Sequence, residues 1–352
     1  MISHENIYIS SLTTMRLGGI ARYVLEIEKP EDIPDAYGFA RHFGYPVFVL
    51  GAGSNTLGHD EGWPGVIIIN RMRGIYGENI IHSEIEKQNP SVKENSANIA
   101  KIKVMGGEPW DNVVEYACNN GFTGIEALSK IPGLTAAAPV QNIGAYGQEI
   151  SNTLIEIEVY DSATDSFKIL KKSDLNFSYR KSLLNTSEKN RYFVISVTLE
   201  LHSGQMPRPF YNSIEKYIDE NNLTDFSPKG IREIVSQIRA DKLPDPNTIA
   251  SAGSFFKNVY IDDVEAEKAT EKGWQVHRKP GQNKISASWL IEQAGFKGKL
   301  LYGIRVCDTA PVVLINESAK SYNDLVKARA EIVSTVYDKF GFWLEQEPVE
   351  LQ

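Results

Sequence analysis

Residues 131–147 are the most informative segment of this chain, because their composition allows few structures. The segment reads IPGLTAAAPVQNIGAYG, with three glycines and no charged residue, and its larger polar side chains are Gln141, Asn142 and Tyr146. Small side chains let a backbone approach a ligand closely, and glycine permits positive backbone angles that expose N–H groups. The segment therefore suits the lining of a flat cofactor or a pyrophosphate. It is equally consistent with a pair of tight turns in a core of small residues.

The composition is that of a soluble globular protein. The chain has 352 residues, enough for two or three domains, and is 42% hydrophobic and 23% charged. Its net charge of −8 argues against a broad nucleic-acid surface, so an anionic ligand must be bound by local donors. Cys118 and Cys307 are not in a metal-ligand spacing, and no signal peptide or membrane-spanning stretch is evident. We expect a cytoplasmic monomer that has no metal site and binds neither nucleic acid nor a membrane.

The first two hundred residues have an α+β pattern. A strand near 23–27 precedes a helix that begins after Pro30 and ends at about His42, and VFVLGAG reads as a buried strand that enters a glycine turn. A hairpin with arms near 75–82 and 100–105 would enclose an exposed polar loop at 83–98. A helix follows at about 108–120, and antiparallel strands cover 153–201.

Helices become more frequent after residue 204. We predict helices at 213–222 and 228–240, the second capped by Ser227, and a short helix that ends at Gly295. A strand at VVLINE and a long amphipathic helix between Ser321 and Gly341 follow, and the tail is extended.

Three groups of polar residues are candidates for chemistry. Arg180 follows Tyr179 in a turn-prone segment, where its guanidinium would match a carboxylate. Ser254 lies among small residues and has no adjacent base, which argues against a hydrolytic serine. A tail carboxylate, Glu345 or Glu347, could act as an acid or stabiliser if it is buried. Taken singly, each group is better explained by a structural role: a surface ion pair for Arg180, tight packing for Ser254, and exposure in the tail for the two glutamates.

Together, five motifs in this order closely resemble the UDP-N-acetylenolpyruvoylglucosamine reductase family. They are LGAGSN at 50–55, the segment at 131–147, YRKS at 179–182, AGSFFKN at 252–258 and WLEQE at 343–347. The resemblance covers nearly the whole chain. The segment at 131–147 and AGSFFKN are specific to the family, whereas LGAGSN is shared with other flavoproteins of the same fold.

The resemblance implies an α+β fold, with a two-part FAD-binding region of the vanillyl-alcohol-oxidase-like type followed by an α+β substrate-binding domain. We assign 1–74 to FAD-binding subdomain 1, 75–204 to FAD-binding subdomain 2, 205–340 to the substrate-binding domain, and 341–352 to a tail that returns a glutamate to the active site. FAD would be bound non-covalently. By similarity its pyrophosphate and flavin contacts are Gly51, Ala52, Gly53, Ser54, Asn55, Ile131, Pro132, Gly133, Gln141, Asn142, Gly144, Ala145 and Tyr146.

The family reaction is ping-pong and serves peptidoglycan precursor synthesis. NADPH reduces the flavin and leaves, and the flavin then reduces the partner substrate, UDP-N-acetylglucosamine enolpyruvyl ether, to UDP-N-acetylmuramate. By similarity, Arg180 and Glu347 stabilise the enolic intermediate and Ser254 delivers the proton, for which Lys257 or a water chain is a candidate helper. The positions expected to bind the UDP end of this nucleotide sugar are Tyr179, Tyr211, Lys242, Asn258 and Gln293.

One feature assigns the chain to a particular form of the family, and another departs from the family pattern. Tyr211, in RPFYNS, indicates the form of the family that carries an extra tyrosine-bearing loop. The family usually has a proline between the two acids of its last motif and a valine after the second. Here Gln346 lies between the acids and Pro348 follows them, so Glu345 competes with Glu347 for the catalytic role.

Rival functions remain at this stage. Another FAD-dependent oxidase or dehydrogenase of the same fold would share LGAGSN but neither AGSFFKN nor YRKS. A catalytically silent FAD or nucleotide-sugar binding protein is less consistent with the presence of Arg180, Ser254 and a tail glutamate. A scaffold protein would need an exposed apolar patch, and none is visible in the sequence.

Overall fold

The computed structural model describes residues 1–80, 99–278 and 282–351. The polar loop expected at 83–98 lies outside these residues. The helices are α1 (Asp32–Phe43), α2 (Trp110–Asn119), α3 (Asn212–Asn221), α4 (Pro228–Lys242), α5 (Asp263–Glu271), α6 (Ala287–Gln293) and α7 (Tyr322–Phe340).

Many short strands accompany these helices. In the first part of the chain they are β1 (Ile2–Tyr8), β2 (Ile20–Ile27), β3 (Val47–Leu50), β4 (Thr56–Gly58), β5 (Trp63–Asn70), β6 (Ile75–Ile80), β7 (Ile99–Met105), β8 (Phe122–Thr123), β9 (Gly144–Ala145), β10 (Gln148–Glu149), β11 (Leu154–Asp161), β12 (Ser166–Lys171) and β13 (Tyr192–Ser203). In the last part they are β14 (Ser251–Ser254), β15 (Val259–Ile261), β16 (Val276–His277), β17 (Asn283–Ile285), β18 (Leu300–Leu301), β19 (Ile304–Val306), β20 (Val313–Asn316) and β21 (Val349–Leu351). The α+β class expected from the sequence is confirmed.

The predicted helices form because their end signals are local. Ser321 accepts a hydrogen bond from the backbone N–H of Asp324 at the start of α7, and Gly341 ends that helix with a φ of 80°. Ser227 in the same way accepts a bond from Gly230 at the start of α4. These caps satisfy backbone groups that a helix end would leave unpaired, so the sequence signals were sufficient to predict both helices.

The chain divides into two compact units. The first consists of Met1–Glu5, Tyr23–Ala52 and Gly65–Ala240, and the second of Asn6–Arg22, Gly53–Pro64 and Asp241–Gln352. The first unit therefore includes α3 and most of α4, which the sequence placed in the substrate-binding domain. The four-part assignment made from the sequence stays a prediction.

The first unit is built on two sheets. One has the order β1-β2-β5-β3, with β3 and β5 parallel, and α1 packs on it through Ile33, Tyr37 and other buried residues. The other has the path β12-β11-β13-β7-β6, all antiparallel, so the hairpin predicted between 75 and 105 is confirmed as β6 and β7. Helix α2 packs on this sheet with Trp110 fully buried. Helices α3 and α4 form a further apolar cluster against which Tyr146 packs.

The second unit holds three small sheets around one core. Their orders are β14-β20-β19-β18, β15-β17-β16 and the parallel pair β4-β21. The core brings Phe255, Phe256 and side chains of α6 and α7 together with Met15, Leu17 and Leu57 from early in the chain. Among the described residues, no helix combines the length and apolar character needed to cross a bilayer.

Candidate functional site

The glycine turn at 51–55 begins in the first unit. Gly51 lies against the segment 131–147, because a Cβ added to it would be 3.3 Å from the Cβ of Ala137. Two segments expected to contact FAD therefore meet within this unit. This close approach is possible because both residues have small or no side chains.

The rest of that turn belongs to the second unit and is tightly confined. Gly53 has a φ of +69°, and a Cβ there would be 2.0 Å from the carbonyl oxygen of Leu12. Its own carbonyl oxygen accepts a bond from the N–H of Thr14 at 3.1 Å. The backbone of Asn55 is tied in turn to the C-terminal tail, since its carbonyl oxygen accepts from the N–H of Val349 at 2.9 Å. The neighbours of the turn therefore leave no space for a side chain at Gly53.

Residues 131–138 are held by backbone hydrogen bonds to the start of α2. The N–H of Trp110 donates to the carbonyl oxygen of Gly133 at 3.0 Å, and the N–H and hydroxyl of Thr135 both donate to that of Glu108 at 2.9 Å. A 3₁₀ turn follows at Thr135–Ala137. The reading of this segment as turns in a small-residue core is therefore confirmed, and it is compatible with a cofactor-lining role, since Ile131 and Gly133 are only half-buried.

Asn142 has a structural role that the sequence did not indicate. Its side chain is buried, and its amide donates to Glu149 at 2.8 Å and to the carbonyl oxygen of Ser178 at 3.2 Å. Its Oδ1 accepts from the N–H of Ser151 at 3.2 Å. Because the side chain is committed to these partners, the expected contact of Asn142 with a flavin would have to come from its backbone.

Strands β9 and β10 form a hairpin whose turn presents Tyr146. Tyr146 has a φ of 47° and Gly147 a φ of 87°, a pair of left-handed residues that suits a two-residue hairpin turn. Such a conformation is unfavourable for a bulky residue, and backbone strain of this kind is often found at functional sites. The ring of Tyr146 meets that of Tyr211 edge to face at 5.9 Å. Two residues predicted for different ligands, FAD and the nucleotide sugar, thus touch in the first unit.

Arg239 is a candidate that the sequence analysis missed. Its guanidinium hydrogen-bonds to the phenol of Tyr146, and burial lowers the pKa of Arg239. Burial also raises the pKa of Tyr146, against the opposing effect of the Arg239 charge. A signal was present, because Arg239 precedes Lys242 by one helical turn on α4.

Arg180 occupies the tip of a tight turn in the first unit. Ser178 and Lys181 exchange backbone hydrogen bonds of 3.0 and 3.1 Å, and Arg180 between them has a φ of 56°. Its Nη2 donates to the carbonyl oxygen of Gly144 at 3.0 Å, and its guanidinium lies 5.0 Å from the ring centroid of Tyr179. The turn therefore holds this cation against β9.

Ser254 ends strand β14 in the second unit. It pairs with Val313 of β20, and the next residue, Phe255, donates its N–H to the carbonyl oxygen of Val312 at 2.8 Å. Its side chain is exposed. The pairing of Ser254 with Val313 and the hydrogen bond from Phe255 to Val312 fix the backbone that carries the Ser254 hydroxyl.

The C-terminal tail runs alongside the segment that follows Ser254. The N–H of Glu347 donates to the carbonyl oxygen of Phe255 at 2.9 Å, and the N–H of Lys257 donates to that of Glu345 at 2.8 Å. The Lys257 ammonium also pairs with the Glu345 carboxylate at 2.5 Å. The carboxylate of Glu345 is thus directed to a lysine and is 67% exposed, whereas Glu347 is half-buried. Lys257 is correspondingly committed to Glu345, which weakens its candidacy as a helper of Ser254.

The remaining predicted substrate residues have defined local contacts in the second unit. Asn258 accepts a bond at Oδ1 from the N–H of Ala287 at 3.1 Å and so orients the start of α6. The side chains of Lys242 and Gln293 are exposed, and their carbonyl oxygens accept from Thr309 and Lys339.

The predicted residues therefore fall into two sets. The first unit contains Gly51, Ala52, Ile131, Pro132, Gly133, Gln141, Asn142, Gly144, Ala145, Tyr146, Tyr179, Arg180 and Tyr211. The second contains Gly53, Ser54, Asn55, Lys242, Ser254, Asn258, Gln293 and Glu347. Within the part of the chain that the structure describes, no cluster of three or more acidic, histidine or cysteine side chains is placed to hold a metal.

Two sequence profiles match the chain. One is described as UDP-N-acetylenolpyruvoylglucosamine reductase, C-terminal domain, and matches residues 245–351. The other is described as FAD binding domain and matches residues 21–167. The second match confirms the expected FAD-binding region in the first half of the chain.

Full-length relatives carry the same description. The UDP-N-acetylenolpyruvoylglucosamine reductase of Xanthomonas campestris pv. campestris (strain 8004) is 31% identical over 348 residues, 98% of this chain and 95% of the relative. That of Ralstonia nicotianae is 33% identical over 339 residues, 96% of this chain and 95% of the relative. The crystal structure of UDP-N-acetylenolpyruvylglucosamine reductase from Thermus caldophilus aligns over 100% of both chains with a TM-score of 0.65 and 24% identity, a likeness of fold.

Proposed function

Because the chain belongs to the UDP-N-acetylenolpyruvoylglucosamine reductase family and is a flavin oxidoreductase, we propose that it reduces UDP-N-acetylglucosamine enolpyruvyl ether to UDP-N-acetylmuramate. We propose NADPH as the reductant and a ping-pong order in which NADPH acts first. The product is a precursor of peptidoglycan, so the enzyme would act in the bacterial cytoplasm, and we propose that it does so as a monomer.

The residues present fit a non-covalently bound FAD. When bound, FAD supplies the hydride-transfer chemistry between NADPH and the double bond of the enolpyruvyl group. Gly51 and the segment 131–147 bring small residues together without a charged side chain, and Gly53 leaves no space for a side chain in the turn at 51–55, so backbone can approach a ligand closely. We therefore assign the pyrophosphate to residues 51–55 and the flavin to the predicted residues between 131 and 146.

One observation carries the proposal. The backbone of the tail is bonded at Glu347 to Phe255 and at Val349 to Asn55. Within the second unit this arrangement places a C-terminal glutamate between the residue that follows Ser254 and the glycine turn assigned to the pyrophosphate. Residues from three distant parts of the sequence, Asn55, Phe255 and Glu347, are thus gathered at one location, as a shared reaction site requires.

We assign to three residues the chemical roles that the protein's own side chains perform. Arg180 and Glu347 stabilise the charge that develops on the substrate carboxylate when hydride adds to one carbon of the double bond, and the Ser254 hydroxyl then delivers the proton to the other carbon. Preorganised groups of this kind typically contribute about 10²–10³ each in rate. The pairing of Glu345 with Lys257 supports Glu347, rather than Glu345, as the catalytic carboxylate.

The nucleotide end of the substrate would be bound by polar and aromatic side chains. We propose that Tyr211 and Lys242 contact the diphosphate, and that Arg239 adds a second cation beside Tyr146. The position of Tyr211 just before α3, against Tyr146, supports the loop-bearing form of the family. The other residues assigned to this substrate are Tyr179, Asn258 and Gln293.

The test is an anaerobic visible spectrum of the purified protein. We expect a flavin band that bleaches on addition of NADPH and returns on addition of the enolpyruvyl nucleotide sugar. A band that returns only with oxygen would instead indicate an oxidase of the same fold. A protein that shows no band even after FAD is added would overturn the assignment and leave a silent binding protein.

A further inference from the structure

The C-terminal tail is fastened to α7 by a side-chain cluster that the catalytic assignment does not use. Arg329 of α7 donates from Nη1 to Gln346 Oε1 at 2.5 Å and to Glu350 Oε1 at 2.6 Å. Gln346 closes the cluster, because its Nε2 donates to the carbonyl oxygen of Pro348 at 2.8 Å and to Glu350 Oε1 at 3.2 Å. We name Arg329, Gln346 and Glu350 the tail clasp. Its two tail residues, Gln346 and Glu350, lie before and after Glu347 in the sequence.

Glu350 has further partners that fix its position. His59 Nε2 lies 3.3 Å from Glu350 Oε2, and the Tyr322 hydroxyl also bonds to this carboxylate. Burial raises the pKa of Glu350, but the hydrogen bonds from Tyr322, Arg329 and Gln346 outweigh it and hold the pKa at about 2. The ring of Tyr322 stacks on His59 at 4.0 Å. The clasp is therefore anchored to residues that follow β4 as well as to α7.

Gln346 is the clasp residue that lies between the two acids of the tail, Glu345 and Glu347. Proline would hold the backbone φ in a narrow range without any side-chain partner. Gln346 lacks that restriction, so the chain needs another means to hold the residue before Glu347. The clasp provides it, because both ends of the Gln346 amide are hydrogen-bonded.

The backbone pairing also allows a proline at this position. The bridge between Gln346 and Phe256 uses the N–H groups of Lys257 and Glu347. In the described residues, none of the backbone bonds of this bridge is donated by the N–H of Gln346. A proline at 346 would therefore preserve the pairing.

Helix α7 does not depend on the clasp for its own position. Leu325, Ala328, Ile332 and Val336 bury its apolar face in the core of the second unit. Arg329 itself keeps 26% of its side chain exposed. Removal of its guanidinium is thus expected to free the side chains of Gln346 and Glu350 while the helix remains packed.

We propose that Arg329, acting through Gln346 and Glu350, is a positioning residue that holds Glu347 in its working place. The inference rests on the proposed function, since it assigns Glu347 to the second half-reaction. Arg329 would touch neither FAD nor substrate. Its loss should therefore affect only the step that needs the Glu347 carboxylate.

The test measures the two half-reactions separately by anaerobic rapid mixing. In Arg329→Met we expect flavin reduction by NADPH at close to the wild-type rate, and reoxidation by the enolpyruvyl substrate slowed about 10- to 100-fold, the scale of a small misplacement of a catalytic group. Glu350→Gln breaks the same clasp from the tail and should give the same pattern. Arg305→Met is the matched control, because it removes a partly exposed Arg–Glu pair in the same unit, away from the tail, and should change neither rate.

A double variant separates positioning from a general structural effect. In a Glu347→Gln background, Arg329→Met should slow reoxidation no further, because a positioned group that is absent cannot be displaced. Gln346→Pro should restore reoxidation in Arg329→Met, because proline restrains the backbone before Glu347 without the clasp. A wild-type protein that fails either half-reaction would overturn the proposed function. If the wild-type protein completes both half-reactions, three results would overturn this inference alone. They are an Arg329→Met variant as fast as wild type, an effect of Arg329→Met that adds to that of Glu347→Gln, and an Arg329→Met variant that Gln346→Pro does not rescue.

Discussion

The backbone N–H of Glu347 donates to the carbonyl oxygen of Phe255, the neighbour of Ser254 in the sequence, over 2.9 Å. This single bond ties the last motif of the chain to the AGSFFKN motif within the second unit. The pairing continues at Lys257 and Glu345, so the two candidate glutamates have unequal surroundings.

Glu347→Gln should slow flavin reoxidation by the nucleotide sugar about 10²–10³-fold, because the variant keeps the shape but loses the charge that stabilises the intermediate. Glu345→Gln is the matched control. Its carboxylate is 67% exposed and paired with Lys257, and exposed pairs contribute little to stability or placement. Stopped-flow absorbance of the reduced enzyme measures both. If Glu345→Gln lost the reaction and Glu347→Gln kept it, the catalytic role would belong to Glu345.

Ser254→Ala should leave reduction by NADPH intact and slow reoxidation by about 10²–10⁴-fold, the usual range for a lost proton donor. Ser318→Ala removes an exposed hydroxyl from the same unit and serves as the control. The two half-reactions are again followed separately. Equal loss in both half-reactions would show that Ser254 supports the flavin site and does not deliver the proton.

Arg239→Met should weaken binding of the nucleotide sugar. A hydrogen bond from a charged group contributes about 1.5–3 kcal/mol, so KM should rise about 10- to 100-fold. Glu233→Gln alters an exposed residue of the same helix and should leave KM unchanged. Steady-state kinetics at saturating NADPH measure the effect, with the flavin spectrum as a check of the fold. An unchanged KM would confine Arg239 to holding the Tyr146 ring.

Gly53→Ala should abolish FAD retention. The added methyl would lie 2.0 Å from the carbonyl oxygen of Leu12, so the turn would have to move. Gly273→Ala provides the control, since Gly273 has a similar φ of +74° but no neighbour within 4 Å. Both variants share the cost of a left-handed side chain, roughly 1–2 kcal/mol. FAD content and thermal unfolding of the two proteins should therefore separate the clash from the backbone cost, and equal FAD retention would contradict the assignment of this turn.

The lowered pKa of Glu350 predicts how the free energy of unfolding changes at acid pH. Its pKa is lowered from 4.5 to about 2 in the folded protein, so its contribution is complete above the unfolded value and is lost as the pH falls from 4.5 toward about 2. The groups that face it are Arg329, Tyr322 and His59. Wild type should exceed Glu350→Gln in unfolding free energy at pH about 5.5, and the difference should shrink by pH about 3. Urea unfolding at both pH values measures it, and a difference that does not change with pH would contradict the prediction.

Local signals were sufficient for much of the fold. The caps Ser227, Ser321 and Gly341 lie within the helices they bound or next to them, so their effect does not depend on distant residues. Strand periodicity identified the hairpin of β6 and β7 in the same way. The ordered motifs identified the family, because residue types at fixed positions are a property of the sequence alone.

Contacts between distant segments decided the rest. From the sequence, Glu345 and Glu347 were both candidates for the catalytic carboxylate. Only the pairing of the tail with the segment at 255–257 showed that Glu345 forms an ion pair with Lys257. The Arg239–Tyr146 bond joins a helix to a hairpin turn more than ninety residues earlier. The buried amide of Asn142 likewise donates to the carbonyl oxygen of Ser178, which is distant in the sequence. Side-chain partners of this kind depend on how separate elements pack, and packing is a property of the folded chain that no local pattern contains.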